Sequence, residues 1–161
     1  MIVNHVYCKN DAINDVTEEI IIPYQETQHQ VVNCGIVEDI EKEPYTQVEL
    51  DLLSRLIYAE AGSNWITDEH QLAVGSVVLN RINDDRFPDD LYSVIYQNVP
   101  NIQYACTING MIYNEPDKRT IDNAKYLLTY GSTIPENIVW QSQMPQGNGI
   151  WKEIQGHYFC Y

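Results

Sequence analysis

Two stretches of sequence decide the fold: LSRLIYAEA at residues 53–61 and EHQLAVGSVVLNRI at residues 69–82. In both, apolar residues recur three and four positions apart, the spacing that puts them on one face of an α-helix. The second stretch is apolar on most sides, which predicts a largely buried helix. Gly75 and Ser76 in its middle predict close approach by another part of the chain.

Signals for helix ends flank both stretches. Thr46-Gln47-Val48-Glu49 has the form of a capping box, so we predict that the first helix covers 47–61. Gly62 predicts a left-handed end to this helix. Thr67 followed by Asp68 and Glu69 predicts the start of the second helix, with two acidic side chains near the positive end of its dipole.

The rest of the chain adds shorter elements. Two further helices and two strands are predicted at Leu91–Gln97, Lys118–Tyr130, Ile138–Gln143 and Ile154–Tyr161. Between the two helices, residues 98–116 form a long irregular connection, and Asn109-Gly110 predicts a hairpin turn within it. Connections this long in compact domains are usually functional. The predicted class is a helix-rich α+β domain with a small antiparallel sheet near the C-terminus.

Charge divides the chain into two parts. The 161 residues contain 23 acidic and 9 basic side chains, for a net charge of −14. Residues 1–46 account for half of this charge and lack a sustained helical or strand period, so we predict an acidic arm, irregular or partly disordered, before a domain at 47–161. Because binding to phosphates requires a basic face, nucleic acid is excluded as a partner.

Other classes of protein are also disfavoured. No run of about 18 apolar residues is present, and the N-terminus lacks the pattern of a signal peptide, so we expect synthesis in the cytoplasm and no membrane insertion. His5, Cys8, His29 and Cys34 are of the types that bind zinc, but their spacings fit no common zinc module. Unconnected polar residues are the simpler interpretation, and we predict no metal and no cofactor.

Glu60 is the strongest candidate for chemistry. Nucleotide-binding glycine motifs and the common protease, hydrolase and kinase signatures are all missing from the sequence. Glu60 lies in the last turn of an apolar helix, where burial and the negative end of the dipole both raise the pKa of a carboxyl group. A carboxyl group that stays protonated near neutral pH can act as the general acid in glycosidic cleavage. The alternative is a partly solvated structural glutamate.

A resemblance supports the catalytic interpretation. Residues 53–61 and 69–82, then Arg86-Phe87-Pro88, Gln103-Tyr104-Ala105-Cys106 and Gly156-His157-Tyr158-Phe159-Cys160, resemble the bacterial cell wall hydrolase family typified by the spore cortex-lytic enzyme SleB. The resemblance covers residues 48–161. It implies a lysozyme-like, lytic transglycosylase-type fold that acts on the glycan strands of peptidoglycan, with Glu60 as the catalytic acid and then base.

The resemblance also implies residues that contact substrate. These are Glu69, Gln71, Asn80, Gln103, Tyr104, Tyr113 and His157. Some have structural alternatives: Glu69 as a first-turn helix acid, and His157 as a sheet-edge residue packed on Tyr158 and Phe159. Arg81 is predicted to order a polar network, and Trp140 and Trp151 to lie in the core.

Two departures from the family and several open alternatives remain. The segment at residues 62–68, between Glu60 and Glu69, is longer than in many relatives and is expected to reshape one edge of the cleft. Ala105 stands where relatives commonly have a hydroxyl side chain, so one hydrogen bond near the catalytic centre is expected to be missing. A hydrolytic muramidase using water, with Glu69 or Asp68 as second carboxylate, and a non-catalytic wall-binding or virion-associated module stay open. A chain made in the cytoplasm fits a phage-type endolysin released by a partner such as a holin, or a spore cortex-lytic enzyme; the sequence does not predict the oligomeric state.

Overall fold

The computed structural model describes residues 43–161. The predicted arm up to residue 42, including the four candidate zinc ligands, lies outside the described residues. The helices are α1 (Gln47–Ala61), α2 (Asp68–Ile82), α3 (Leu91–Ile95), α4 (Cys106–Asn109) and α5 (Lys118–Tyr130), with a 3-10 turn at Met111–Tyr113. The strands are β1 (Trp140–Ser142), β2 (Ile150–Ile154) and β3 (His157–Cys160).

The first two helices have the predicted bounds and caps. The Thr46 side chain accepts from the Glu49 amide at 3.2 Å, and the Glu49 carboxylate accepts from the Thr46 amide at 2.6 Å. Thr67 caps α2 by accepting from the amide of His70. The predicted left-handed conformation of Gly62 is wrong, because its φ is −81°. Glycine is needed there for space, since a Cβ would overlap the carbonyl oxygen of Tyr58.

Three helices enclose the core. Leu53, Leu56 and Ile57 of α1 are completely or almost completely buried, as are Val77 of α2 and Leu127 of α5. Burial of one such side chain contributes about 1.5–3 kcal/mol. The predicted close approach at Gly75 is confirmed, because a Cβ there would overlap the side chains of Leu127 and Ile57.

The connection after α3 contains helical turns. The short helix α3 ends at Ile95, two residues before the predicted end. The hairpin predicted at Asn109-Gly110 is wrong: Gly110 does have a positive φ of 84°, but it joins α4 to the 3-10 turn. Cys106 and Ile112 on these two turns are buried, so their apolar contacts favour the helical arrangement.

The C-terminal sheet has three antiparallel strands in the order β1-β3-β2. The second predicted strand, 154–161, is instead divided by a two-residue turn at Gln155-Gly156, where both φ angles are positive (51° and 84°). Positive φ at both positions suits a hairpin whose strands twist in the usual sense. Glutamine is uncommon in this conformation, so the turn could not be predicted from the residue types alone.

Candidate active site

Glu60 lines a cleft of about 410 Å³ at the end of α1. One wall is the segment between α1 and α2, and the other is the β2–β3 turn. The remaining lining residues are Ala61, Ser63, Trp65, Ile66, Gln143, Gln155, Gly156 and His157. The Trp65 side chain is prominent because 70% of its surface is exposed, and an exposed indole ring is a suitable platform for a sugar ring.

Gln155 joins the two walls. Its side-chain amide donates to the carbonyl oxygen of Trp65 at 3.0 Å. Its side-chain oxygen accepts from the amide and the hydroxyl of Thr67, at 2.9 and 3.1 Å. These bonds fix the segment before α2 against the β2–β3 turn, so the width of the cleft depends on tertiary contacts.

The carboxyl group of Glu60 is tuned by its surroundings. Burial raises its pKa above the ordinary value of 4.5, as expected from its apolar helix. Two neighbours act in the opposite direction, because the thiol of Cys106 and the imidazole of His157 both favour the carboxylate. The combined effect still raises the pKa of Glu60, which suits a group that must donate a proton.

Cys106 is a neutral neighbour of Glu60. Burial, together with the adjacent Glu60 carboxyl, raises the pKa of its thiol to about 12. The side chain therefore stays protonated and acts as a weak donor toward the carboxylate, not as a nucleophile.

His157 contacts a second histidine behind the cleft. Its Nδ1 lies 2.7 Å from Nε2 of His70, and the two rings are nearly perpendicular. The structure thus brings His157 into the same cleft as Glu60, as the resemblance implied. His70 had not been singled out from the sequence, because a lone histidine in the first turn of a helix carries no specific signal.

Glu60 is the only carboxylate among the described residues that line the cleft. Glu69 instead forms an ion pair with Lys152 on the surface. Asp68 accepts from the Asn123 amide at 3.1 Å and lies 3.7 Å from Arg119. Neither predicted second carboxylate lines the cleft.

Three residues predicted to contact substrate are buried framework residues instead. Gln71 donates to the carbonyl oxygen of Ala61 and to Thr120, and Asn80 donates to the carbonyl oxygens of Pro135 and Ile138. Tyr104 is only 2% exposed. Because these side chains have almost no contact with solvent, they cannot reach a substrate, and the predicted substrate contacts of Gln71, Asn80 and Tyr104 are wrong.

The other predicted residues lie outside this cleft. Gln103 donates to the carbonyl oxygen of Asn101, and Tyr113 is exposed near Tyr96. Arg81 is buried and donates to the main chain, in agreement with the predicted polar network. Trp140 is half-buried and packs on Phe87, and Trp151 is 38% exposed, so neither belongs to the buried core as predicted.

Sequence reasoning missed several lining residues. Trp65, Gln143 and Gln155 belong to no motif that would have singled them out. They line the cleft because the segment between α1 and α2, the residue after β1 and the β2–β3 turn all pack near the end of α1.

A carboxyl group of raised pKa in an open cleft has the property that a general acid requires. Residues 66–160 match the family model described as cell wall hydrolase, and the chain belongs to that family. The predicted fold and family are therefore confirmed.

The chain is similar to curated spore cortex-lytic enzymes. The spore cortex-lytic enzyme of Halalkalibacterium halodurans is 32% identical over 75 residues, covering 46% of this chain and 21% of that protein. The spore cortex-lytic enzyme of Bacillus subtilis is 25% identical over 123 residues, covering 72% of this chain and 38% of that protein. The chain thus spans a minor part of the length of these relatives.

Solved structures share the fold. The catalytic domain of the Bacillus cereus SleB protein has a TM-score of 0.60 at 21% identity, covering 73% of this chain and 92% of that domain. The catalytic domain of the germination-specific lytic transglycosylase SleB from Bacillus anthracis has a TM-score of 0.59 at 20% identity, covering 73% and 97%. Among residues 43–161, no helix is long and apolar enough to cross a membrane.

Proposed function

We propose that this domain is a peptidoglycan lytic transglycosylase in which Glu60 acts as both acid and base. The observation that carries the proposal is the single carboxylate among the described residues of the cleft. Its raised pKa supports the role of proton donor. Membership of the cell wall hydrolase family supports peptidoglycan as the substrate.

The reaction requires two proton transfers, one from Glu60 to the leaving group and one from the substrate back to Glu60. Protonated Glu60 donates to the glycosidic oxygen between N-acetylmuramic acid and N-acetylglucosamine, and the bond from that oxygen to C1 breaks. The resulting oxocarbenium-like centre is attacked by the 6-hydroxyl oxygen of the same muramic residue, while the Glu60 carboxylate takes the hydroxyl proton. A 1,6-anhydro ring forms, no water is consumed, and Glu60 is protonated again. A metal and a second carboxylate are not required.

Hydrolysis by water is the competing reaction. An inverting glycosidase needs a second carboxylate about 6.5–9.5 Å from the acid to activate the water. The surface ion pair of Glu69 and the contacts of Asp68 with Asn123 and Arg119 argue against this role for either residue.

The experiment is digestion of purified peptidoglycan with mass spectrometry of the released fragments. We expect 1,6-anhydro-muramic ends from the wild-type chain and a loss of at least about 100-fold in rate for Glu60→Gln. Glu69→Gln is the matched control, with activity close to wild type. Reducing ends would overturn the transglycosylase proposal in favour of a muramidase. Lysis unchanged in Glu60→Gln would overturn the assignment of Glu60. No release of fragments by the wild-type chain would favour a non-catalytic wall-binding or virion-associated module.

The substrate in the cell is proposed from the relatives. Similarity to spore cortex-lytic enzymes supports spore cortex as a substrate, and a phage-type endolysin acting on vegetative wall is the alternative. Parallel digestion of purified cortex and vegetative sacculi separates these two. Faster release from cortex supports the first, and comparable or faster release from vegetative sacculi supports an endolysin, for which release by a holin from the cytoplasm is proposed.

We also propose that the catalytic domain begins at the cap of α1. The buried core lies entirely between Leu50 and Cys160 among the described residues. A fragment of residues 43–161 keeps Thr46 and the ion pair of Glu43 with Lys125. We expect this fragment to melt within a few degrees of the full chain, and a non-cooperative transition would overturn the boundary.

A further inference from the structure

His70 is completely buried at the start of α2, yet it contacts a residue of the cleft. Its Nε2 lies 2.7 Å from Nδ1 of His157, and its ring also packs edge-on against Phe159 at 5.8 Å between centroids. Two ring nitrogens at this distance share a single proton. With a proton on each nitrogen the two protons would repel, and with no proton the two lone pairs would face each other. One ring must therefore donate to the other.

The surroundings of His70 decide which ring donates. If His157 donated, neutral His70 would carry its own proton on Nδ1. That atom is buried and has no hydrogen-bond partner among the described residues. The Gln155 side chain lies close enough to favour the protonated form of His70, but its oxygen already accepts two hydrogen bonds from Thr67. A buried N–H without an acceptor is rarer in proteins than a buried acceptor that lacks a donor.

The opposite arrangement avoids this orphaned donor. When His70 Nε2–H donates to His157 Nδ1, the Nδ1 atom of His70 carries no proton and has only an unused lone pair. Burial lowers the pKa of His70, so its ring stays neutral in the folded protein. His157 then carries its proton on Nε2, the ring nitrogen that is not engaged by His70.

We propose that His70 is a positioning residue that locks the ring of His157, so that His157 Nε2–H is a fixed donor to an oxygen of an N-acetylated glycan in the Glu60 cleft. The proposal rests on the proposed function for the identity of the ligand. The locked pair itself depends only on the contacts of His70, His157 and Gln155. His70 does not touch substrate, since it is buried behind His157.

The first test measures the protons directly. Long-range ¹H–¹⁵N NMR of the histidine rings in the full chain distinguishes protonation at Nε2 from protonation at Nδ1. Signals of His70 and His157 are assigned from their disappearance in His70→Phe and His157→Phe. We expect protonated Nε2 in both rings, and a mixture of tautomers for His157 in His70→Phe. Protonated Nδ1 in His157 of the wild type would overturn the proposal, whether or not the chain is active.

The second test uses two amide variants that differ in reach. The amide nitrogen of a glutamine overlays Nε2 of a histidine, and that of an asparagine overlays Nδ1. We expect His70→Asn to raise KM for soluble peptidoglycan fragments roughly tenfold, because one hydrogen bond to substrate loses its orientation, with kcat changed by less than about twofold. His70→Gln is expected to keep KM within about threefold of wild type.

The outcomes separate the two proposals. Equal KM values in His70→Gln and His70→Asn, with both variants folded by thermal melting, would overturn the positioning role. A wild-type chain that does not cleave peptidoglycan would instead overturn the proposed function, while the NMR test still decides the tautomers. If one variant does not fold, the wild-type NMR spectrum alone decides between the two proton arrangements.

Discussion

Nε of Arg81 donates to the main-chain oxygen of Val139 at 2.7 Å, which ties the end of α2 to the residue before β1. The guanidinium lies among three aromatic rings, with its carbon 5.1, 5.2 and 5.5 Å from the centroids of Phe87, Tyr104 and Trp140. It is almost fully buried. A planar cation stacks on such rings and donates in a fixed direction, which the ammonium group of lysine does not do.

We therefore expect Arg81→Lys to reduce the free energy of unfolding by about 2 kcal/mol, because a buried charged hydrogen bond and the stacking are lost. Urea denaturation followed by circular dichroism measures this change. Arg86→Lys is the matched control, since Arg86 forms an exposed ion pair with Asp84 and its replacement should change stability by less than about 0.5 kcal/mol. Equal effects of the two substitutions would contradict the role of Arg81.

The pH dependence of activity should follow the protonation of Glu60. Because the acid form donates the proton and burial raises its pKa, activity should fall as pH rises through that value, with the midpoint above 4.5. The rate of release of soluble fragments from sacculi, measured across pH at constant ionic strength, gives the midpoint. A rate that only increases toward alkaline pH would argue against Glu60 as the acid.

Replacing Cys106 should move this midpoint. The thiol favours the Glu60 carboxylate, so its removal should raise the pKa of Glu60. Cys106→Ala should therefore shift the alkaline limb of the pH–activity profile, where activity falls with rising pH, to higher pH. Cys106→Ser keeps a donor near the carboxyl group, and its limb should lie closer to that of the wild type. A shift of the Cys106→Ala limb to lower pH would mean that the thiol does not act as a donor to Glu60.

The stability of Glu60→Gln should depend on pH. The folded protein holds the Glu60 proton more tightly than the unfolded chain, so the contribution of Glu60 to stability is greatest below pH 4.5 and is lost as pH rises through the folded-state pKa. At higher pH the buried carboxylate destabilises the fold, and Glu60→Gln should be at least as stable as the wild type. Denaturant unfolding of both proteins at several pH values tests this. The prediction would be contradicted if the stability of Glu60→Gln relative to wild type were lower at alkaline pH than at acidic pH.

The capping box should contribute measurably to stability. Thr46→Ala removes the acceptor for the Glu49 amide and should lower the free energy of unfolding by about 1 kcal/mol. Thr129→Ala is the control, because its hydroxyl donates to a carbonyl group within α5 and fills no cap. No difference between the two variants in urea denaturation would mean that the box adds nothing to α1.

The local elements could be predicted because their causes lie within a few residues. Helix α1 has its cap, apolar face and end within 46–62, and α5 covers Lys118–Tyr130 as predicted. Bonds and contacts three and four residues apart determine such segments. The same local pattern placed Glu60 at the apolar end of α1, which is why the catalytic candidate was visible in the sequence.

Local patterns in the sequence are therefore sufficient to predict the main helices, the helix-rich α+β class and the candidate acid. The surroundings of that acid depend on how distant segments pack. The buried bonds of Gln71 and Asn80, the turn at Gln155-Gly156 and the contact between His70 and His157 depend on packing, and the two histidines are 87 positions apart. Helical periodicity says which face of an element is buried but not which side chain it meets, because that depends on how all the elements pack together.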